Sequence, residues 1–480
     1  MMATKKPAPV WALIATSLPM FMVSLDNLIV TNALPEIAQE FNVRQSELQW
    51  VMNGYVLAFA GLLLAGAALG DRFGRLRVFL TGVTLFTVSS IACAMADSVT
   101  TLVVARVFQG AGAAAILPVS LTLAVAAVSR EQRNAAVGVW GGVNGLGIAV
   151  GPLAGGLVTE QIDWNWIFWI NVPVGVLALP LALWAVRESR GDNRSLNVVS
   201  MLLVTGSVVT AVWGIVEAAD HGWGQPRTLT GLAVAAVLAV AFIVSERSST
   251  SPLIPLHMYR VPAFVLSNVV SITMYFGVFG SIFFLTQFLQ GPMGYSPFEA
   301  GLRTLPWTVA PMIVVPIASQ LVDRIGGGVL QAAGCALQAA GLGWIAFVVT
   351  PDVGYGALVP ALALAGIGMG LVFAANPATV ISAVRESEHN KASGANNTSR
   401  EFGGALGVAA LTAVFSRQFA GHSPGDVAET FTDSLRSALW IGTAVVVLGA
   451  LSALFIKRSA AAQDESLATE RTQRMSVTAG

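Results

Sequence analysis

Apolar residues in this chain come in long runs, separated by short stretches that hold most of the charge. A helix that crosses a bilayer needs roughly 20 apolar residues. That ruler lays off about fourteen segments, at 10–31, 47–69, 78–96, 101–128, 135–159, 164–186, 196–217, 228–245, 263–290, 299–321, 328–350, 355–380, 397–419 and 435–456. The first run continues from Val10 to about Thr31 with no small-residue cleavage site, so it reads as a retained helix. The expected fold is an all-α polytopic membrane protein. An even number of spans puts both termini on one side.

Composition agrees. Of 480 residues, 55% are hydrophobic and 11% charged, against about 25% charged in a typical soluble domain. The 26 basic and 26 acidic residues balance, which gives no pull toward nucleic acid. Cys93 and Cys335 both fall in apolar runs, far apart, and suggest neither a disulfide nor a metal. Loop charge sets the orientation. Arg44, Arg227, Arg417 and Arg436 fall on one side, and Arg106 and Arg303 fall inside segments. The other twenty of the 26 cations fall on the side of the N-terminus, which the positive-inside rule makes cytoplasmic.

The chain also repeats itself. GDRFGRLR (70–77) returns as VDRIGGGV (322–329), with Asp71 aligned to Asp323. SREQRNAAVG (129–138) aligns with RESEHNKASG (385–394), and the same register pairs Gly147 with Gly403 and Gly151 with Gly407. Two six-helix halves follow, over 1–190 and 263–458. Two extra spans and a cytoplasmic linker fill 191–262, and a tail expected to be disordered fills 459–480. Such repeats mark transporters whose substrate site lies between the halves near mid-membrane.

Four stretches carry more specific information. ALGDRFGR (68–75) places Asp71, Arg72 and Arg75 around Gly74, which permits a tight turn. LVVARVFQGAGAA (102–114) buries Arg106 in an apolar run, where a charge costs at least ~2.5–3.5 kcal/mol. VSLDNLIVTNALPEI (23–37) does the same with Asp26. GLGIAVGPLAGG (145–156), preceded by Gly138, sets Gly147, Gly151, Gly155 and Gly156 beside Pro152, the poorest helix formers available. Small residues let membrane helices approach closely, and a proline bends the face they make.

Together these stretches resemble the Major Facilitator Superfamily, and within it the fourteen-helix drug:proton antiporter branch. The resemblance runs from about Val10 to Arg458. It implies that Asp71, Arg72, Gly74 and Arg75, echoed by Asp323 and Arg324, form a cytoplasmic gate. It implies too that the glycine–proline run is the antiporter motif, sealing one side of a cavity. Departures are Ala67 and Leu76 in the gate motif, Leu28, Thr31 and Asn32 in the first helix, and Asn165 in the weaker match WNWIFWINVPVG (164–175).

The four histidines fall in loops, and Glu217, Glu299 and Glu401 near segment ends, so elimination leaves Asp26 as the proton carrier. At 1.5 Å per residue, Asp26 lies about 12 Å below Pro35 and Arg106 about 8 Å below Thr101, similar heights in the outer half. A pair whose separation changes between conformations would change its proton affinity. Asn27, Trp50, Asn53, Tyr55, Gln109, Asn144 and Gln287 are candidates to line the cavity. With one clear carboxylate, that cavity suits neutral or singly cationic compounds.

The expected function is proton-coupled export of small amphipathic compounds, such as drugs or antibiotics, by alternating access across a bacterial inner membrane. A dedicated exporter of one endogenous metabolite and a proton symporter are the alternatives. Helices without histidine argue against a membrane-embedded enzyme, and latches in both halves against a passive channel. No cofactor or metal is expected, the partners are protons, substrate and lipid, and a monomer is anticipated.

Overall fold

The computed structural model describes residues 9–43, 45–129, 132–190, 197–249, 252–385, 388–419 and 427–457. The tail expected at 459–480 lies outside them. The first six-helix set comprises α1 (Pro9–Phe41), α2 (Gln45–Phe73), α3 (Arg75–Ala94), α4 (Val99–Ala126), α5 (Arg133–Gln161) and a broken span of α6 (Trp166–Trp169) and α7 (Asn171–Ala185). A hairpin of α8 (Val198–His221) and α9 (Pro226–Ser248) follows, then a 3-10 turn over Leu256–Arg260. The last set is α10 (Pro262–Gln290), a broken span of α11 (Pro297–Thr308) and α12 (Ala310–Ile325), α13 (Gly327–Val348), α14 (Tyr355–Ser382), α15 (His389–Phe419) and α16 (Val427–Leu454). Among the described residues these helices carry the whole fold.

Local chemistry sets the ends. The Ser98 hydroxyl accepts from the Thr101 amide to cap α4, and Ser296 with Glu299 makes a capping box on α11. The α11–α12 span breaks where Pro306 and Pro311 flank Val309. Among the described residues, thirteen spans are long and apolar enough to cross a membrane. The fourteenth is α15, which carries Asn396, Asn397, Arg400 and Glu401. It starts at His389, eight residues before the expected 397, and α1 continues through Pro35 to Phe41 instead of stopping near 31.

Packing follows one scheme twice. In the first set α1 lies on α5 and α7, α4 on α2 and α3, and α3 on α7. In the second α10 lies on α15 and α16, α14 on α12 and α13, and α13 on α16. Glycines make the closest approaches. A Cβ on Gly147 would stand 2.8 Å from Ser24 Cβ, and one on Gly151 3.1 Å from the Leu25 carbonyl; one on Gly155 would overlap the Ile29 carbonyl. Gly403 and Gly407 stand against the Ile272 and Phe276 carbonyls of α10 in the same way. Gly74 (φ 114°) and Gly326 (φ 101°) also occupy matching turns, between α2 and α3 and between α12 and α13.

The sets meet along α5–α11 and α2–α15, and α8 packs across the second seam. Burial separates the roles. In α2 and α10 83% of the most apolar window is buried, in α8 and α9 only 17%, so the hairpin is peripheral.

Candidate functional site

Asp26 on α1 and Arg106 on α4 are both fully buried and paired at 2.5 Å. The same guanidinium nitrogen donates to Gln109 Oε1 at 2.7 Å, and Nε donates to the Val51 carbonyl at 3.2 Å. The other Asp26 oxygen accepts from Gln109 Nε2 and from Asn171 Nδ2, each at 2.9 Å. Gln109 also donates to Ser90 Oγ at 2.8 Å, and the Tyr55 ring lies 4.1 Å from the guanidinium carbon. One carboxylate thus joins α1, α4 and α7, and Ser90 ties in α3 through Gln109. Breaking a buried pair by removing one partner costs about 3–5 kcal/mol, because a bare charge stays behind. Sequence depth brought Asp26 and Arg106 together correctly. It gave no sign of Asn171 or Ser90, since height along a helix does not say which face a residue takes.

The stretch 68–75 also assembles. Arg75 reaches back to Asp71 through Nε at 2.9 Å and Nη2 at 2.8 Å. The carboxylate on the N-terminus of α3 is Glu188, which accepts from the Leu76 amide at 2.9 Å. A Cβ at Gly74 would stand 2.6 Å from that movable carboxylate, and it is the φ of 114° that calls for glycine. Arg72 lies over the Phe73 ring, and Arg324 is exposed at the end of α12. The side chain of Asp323 and the surroundings of Gly138 lie outside the described residues.

The glycine–proline run has two faces. Gly147, Gly151 and Gly155 receive α1, while Gly156 receives the Pro297 carbonyl of α11 and Gly301 of α11 receives the Pro152 carbonyl. Polar contacts reinforce this closure. Asn32 Nδ2 donates to the Pro152 carbonyl, and Gln290 Nε2 to the Asn32 carbonyl at 3.2 Å. Glu160 accepts from Ser296 Oγ at 2.5 Å and from the Phe298 amide at 3.0 Å. The opposite end of the seam is closed by apolar packing of Leu64 with Ile254, Met258, Ala392 and Ala395.

Between the closures lies a cavity of about 40 Å³, bounded by Ser24, Asn27, Phe59, Trp140, Asn144, Tyr275, Arg400 and Glu401 among others. Room for a drug-sized ligand needs about 300–1,000 Å³. The arrangement is too tight for one. Of the seven expected lining residues, Asn27 and Asn144 bound the cavity. Gln109 and Tyr55 belong to the Arg106 network, Asn53 is fully buried, Trp50 packs against apolar neighbours, and Gln287 donates to the Phe283 carbonyl at 3.2 Å.

Two expectations are corrected. Glu401 is not near a helix end, and Arg400 is not a loop cation; both lie well inside α15 and face the cavity. The repeat carried a signal for them. The register that pairs Gly147 with Gly403 also pairs Asn144 with Arg400, and both bound the cavity. Among the described residues no hydrogen bond to the Glu401 carboxylate is made.

This architecture has known counterparts. A bacterial homologue of the human lysosomal transporter Spinster, solved inward-facing and unoccupied, shares the fold at a TM-score of 0.64 and 17% identity, over 95% of this chain and 100% of that one. The multidrug resistance protein Stp of Mycobacterium tuberculosis is 37% identical over 407 residues, 84% of this chain and 75% of its own. The tetracenomycin C resistance and export protein of Streptomyces glaucescens is 34% identical over 419 residues, 87% of this chain and 78% of its own. The family model of the Major Facilitator Superfamily matches residues 16–408. With its repeated packing, its two seams and its central cavity, the chain belongs to the Major Facilitator Superfamily and is a multi-pass membrane transporter.

Proposed function

We propose that this transporter is a proton-driven exporter of small amphipathic compounds. It works by alternating access in a bacterial plasma membrane, as a monomer with both termini cytoplasmic. The matched packing of α1–α7 and α10–α16 supports two halves that rock about the cavity, with α8 and α9 inserted between them. The relatives named for antibiotic export and multidrug resistance support the direction and breadth of transport.

The observation that carries the reading is a carboxylate, Glu401, facing a cavity lined by residues of both halves. A proton and the cationic group of a substrate compete for it, which is the minimum chemistry of exchange. Asp26 has a different duty. Its charge is matched by Arg106 at 2.5 Å, and rocking that changes this separation couples the pair to gating. The gate at Asp71 and Arg75 stands at the cytoplasmic end, and the glycine–proline run closes the outer end.

The test is a substrate panel on inverted vesicles with an imposed pH gradient. Gradient-dependent uptake of several amphipathic compounds, abolished by Glu401→Gln, is the expected result. Uptake indifferent to the gradient would overturn proton coupling, and uptake of a single compound would favour a dedicated exporter.

A further inference from the structure

Arg400 and Glu401 are consecutive on α15, so their side chains leave the helix about 100° apart, although the two charges still interact through space. No ion pair joins them among the described residues. Arg400 meets neutral oxygens instead: Nη1 donates to Asn397 Oδ1 at 3.2 Å and Nη2 to the Tyr275 hydroxyl. Its guanidinium carbon lies 4.7 Å from the Tyr275 ring and 5.5 Å from that of Phe373. Arg106, the fully buried arginine of α4, has a carboxylate at 2.5 Å. A guanidinium inside a membrane helix is costly unless an anion meets it. Arg400 borders the cavity, where that anion can arrive with a ligand.

We propose that Arg400 and Glu401 form a dipolar recognition pair selecting aromatic zwitterions, a specificity that rests on the export reading above. The substrate's cationic nitrogen takes the place of the proton on Glu401, while its carboxylate receives the planar fork of Arg400. Phe59, Trp140, Tyr275 and Phe279 supply ring faces for the apolar body between the two charges. The complex then leaves neither cavity charge bare. Protonated Glu401 restores a site that no longer holds the cationic end, so release and proton uptake go together. A purely cationic compound satisfies Glu401 but adds a second positive charge beside Arg400.

A matched dye pair tests this: tetramethylrhodamine, a zwitterion at neutral pH, and its methyl ester, a cation with the same ring system. Binding is read by fluorescence anisotropy on the full-length protein in lipid nanodiscs. The wild type should bind the zwitterion about tenfold more tightly than the ester, the scale of one charge-assisted fork. In Arg400→Gln the ratio should fall to near one. Arg400→Lys keeps the charge but loses the fork, and its intermediate ratio carries the test should the glutamine variant fail to fold. A wild-type ratio near one, an unchanged ratio in both variants, or no binding of either dye would overturn the zwitterion assignment. Gradient-driven export of other compounds in inverted vesicles would, in each of those cases, leave the export reading standing.

Discussion

Each half of the transporter holds one buried polar network that ties four helices together, and the two differ in charge. In the first half Asp26, Ser90, Arg106, Gln109 and Asn171 join α1, α3, α4 and α7 around an ion pair. In the second, Gln331 Nε2 donates to Thr379 Oγ1 at 3.0 Å and Asn376 Nδ2 to Gln331 Oε1 at 2.9 Å. Ser271 Oγ and Asn396 Nδ2 complete it with bonds of 2.9 Å each, so α10, α13, α14 and α15 are joined by neutral groups alone. An ion pair changes strength when a proton arrives; amides and hydroxyls do not titrate in the physiological range. The first network therefore suits a responsive element. The second suits a fixed frame, and Asn396 stands one turn before Arg400, holding the part of α15 that faces the cavity.

The comparison breaks most readily at its charged member. Arg106→Ala strands Asp26 in a dry site and should cost about 3–5 kcal/mol. Asn376→Ala in the neutral network should cost about 1–3 kcal/mol. Unfolding midpoints in detergent for the two variants rank them directly, and equal losses would erase the distinction between the networks.

Asp26→Asn is the functional counterpart. The amide keeps the shape and can still accept from Arg106 but cannot titrate, so the variant should be destabilised yet insert, and the inserted protein should lose proton-driven export. Gradient-driven uptake at the wild-type rate in inverted vesicles would remove Asp26 from the mechanism.

Packing gives a third, smaller effect. Gly156 touches the other half at Pro297, whereas Gly407 touches its own half at Phe276. Gly156→Leu should loosen the closure at Glu160 and raise thiol labelling of a cysteine placed at Gly294, after removal of the buried Cys93 and Cys335. Gly407→Leu should destabilise the second half with little change in labelling. The same labelling rise in both would make the two ridges equivalent.

Asp71→Asn should matter least. Its contact with Arg75 is an i,i+4 pair within the first half, with the aspartate side chain 35% exposed. Pairs of this kind contribute about 0.3–0.5 kcal/mol, so labelling near Gly74 should shift by about twofold or less. A tenfold shift would mean that Asp71 also holds the other half.

What was legible in the sequence follows from these physical differences. Thirteen spans are visible because each is a long run of apolar side chains. The repeat is visible because glycine at Gly147, Gly151, Gly403 and Gly407 answers to close helix approach, which leaves little room for a side chain. Asp26 and Arg106 stand out because a charge inside an apolar run is rare, and counting residues along two helices placed them at one height. α15 is legible only from 397, by the same logic. It turns Asn396, Arg400 and Glu401 inward and so lacks the apolar run, and its first eight residues read as loop. Facing is the other loss. Asn27 borders the cavity and Asn53 does not, although both are amides in apolar helices, because the choice depends on the helices packed around them.

The central claim is that a proton and a substrate compete at a carboxylate inside the cavity. It is tested most directly by proton release from the purified transporter in weakly buffered detergent, followed with a pH indicator. Adding a transported compound should acidify the solution for the wild type and leave the pH unchanged for Glu401→Gln, with binding measured in parallel. Equal acidification by a Glu401→Gln protein that still binds the compound would contradict the account.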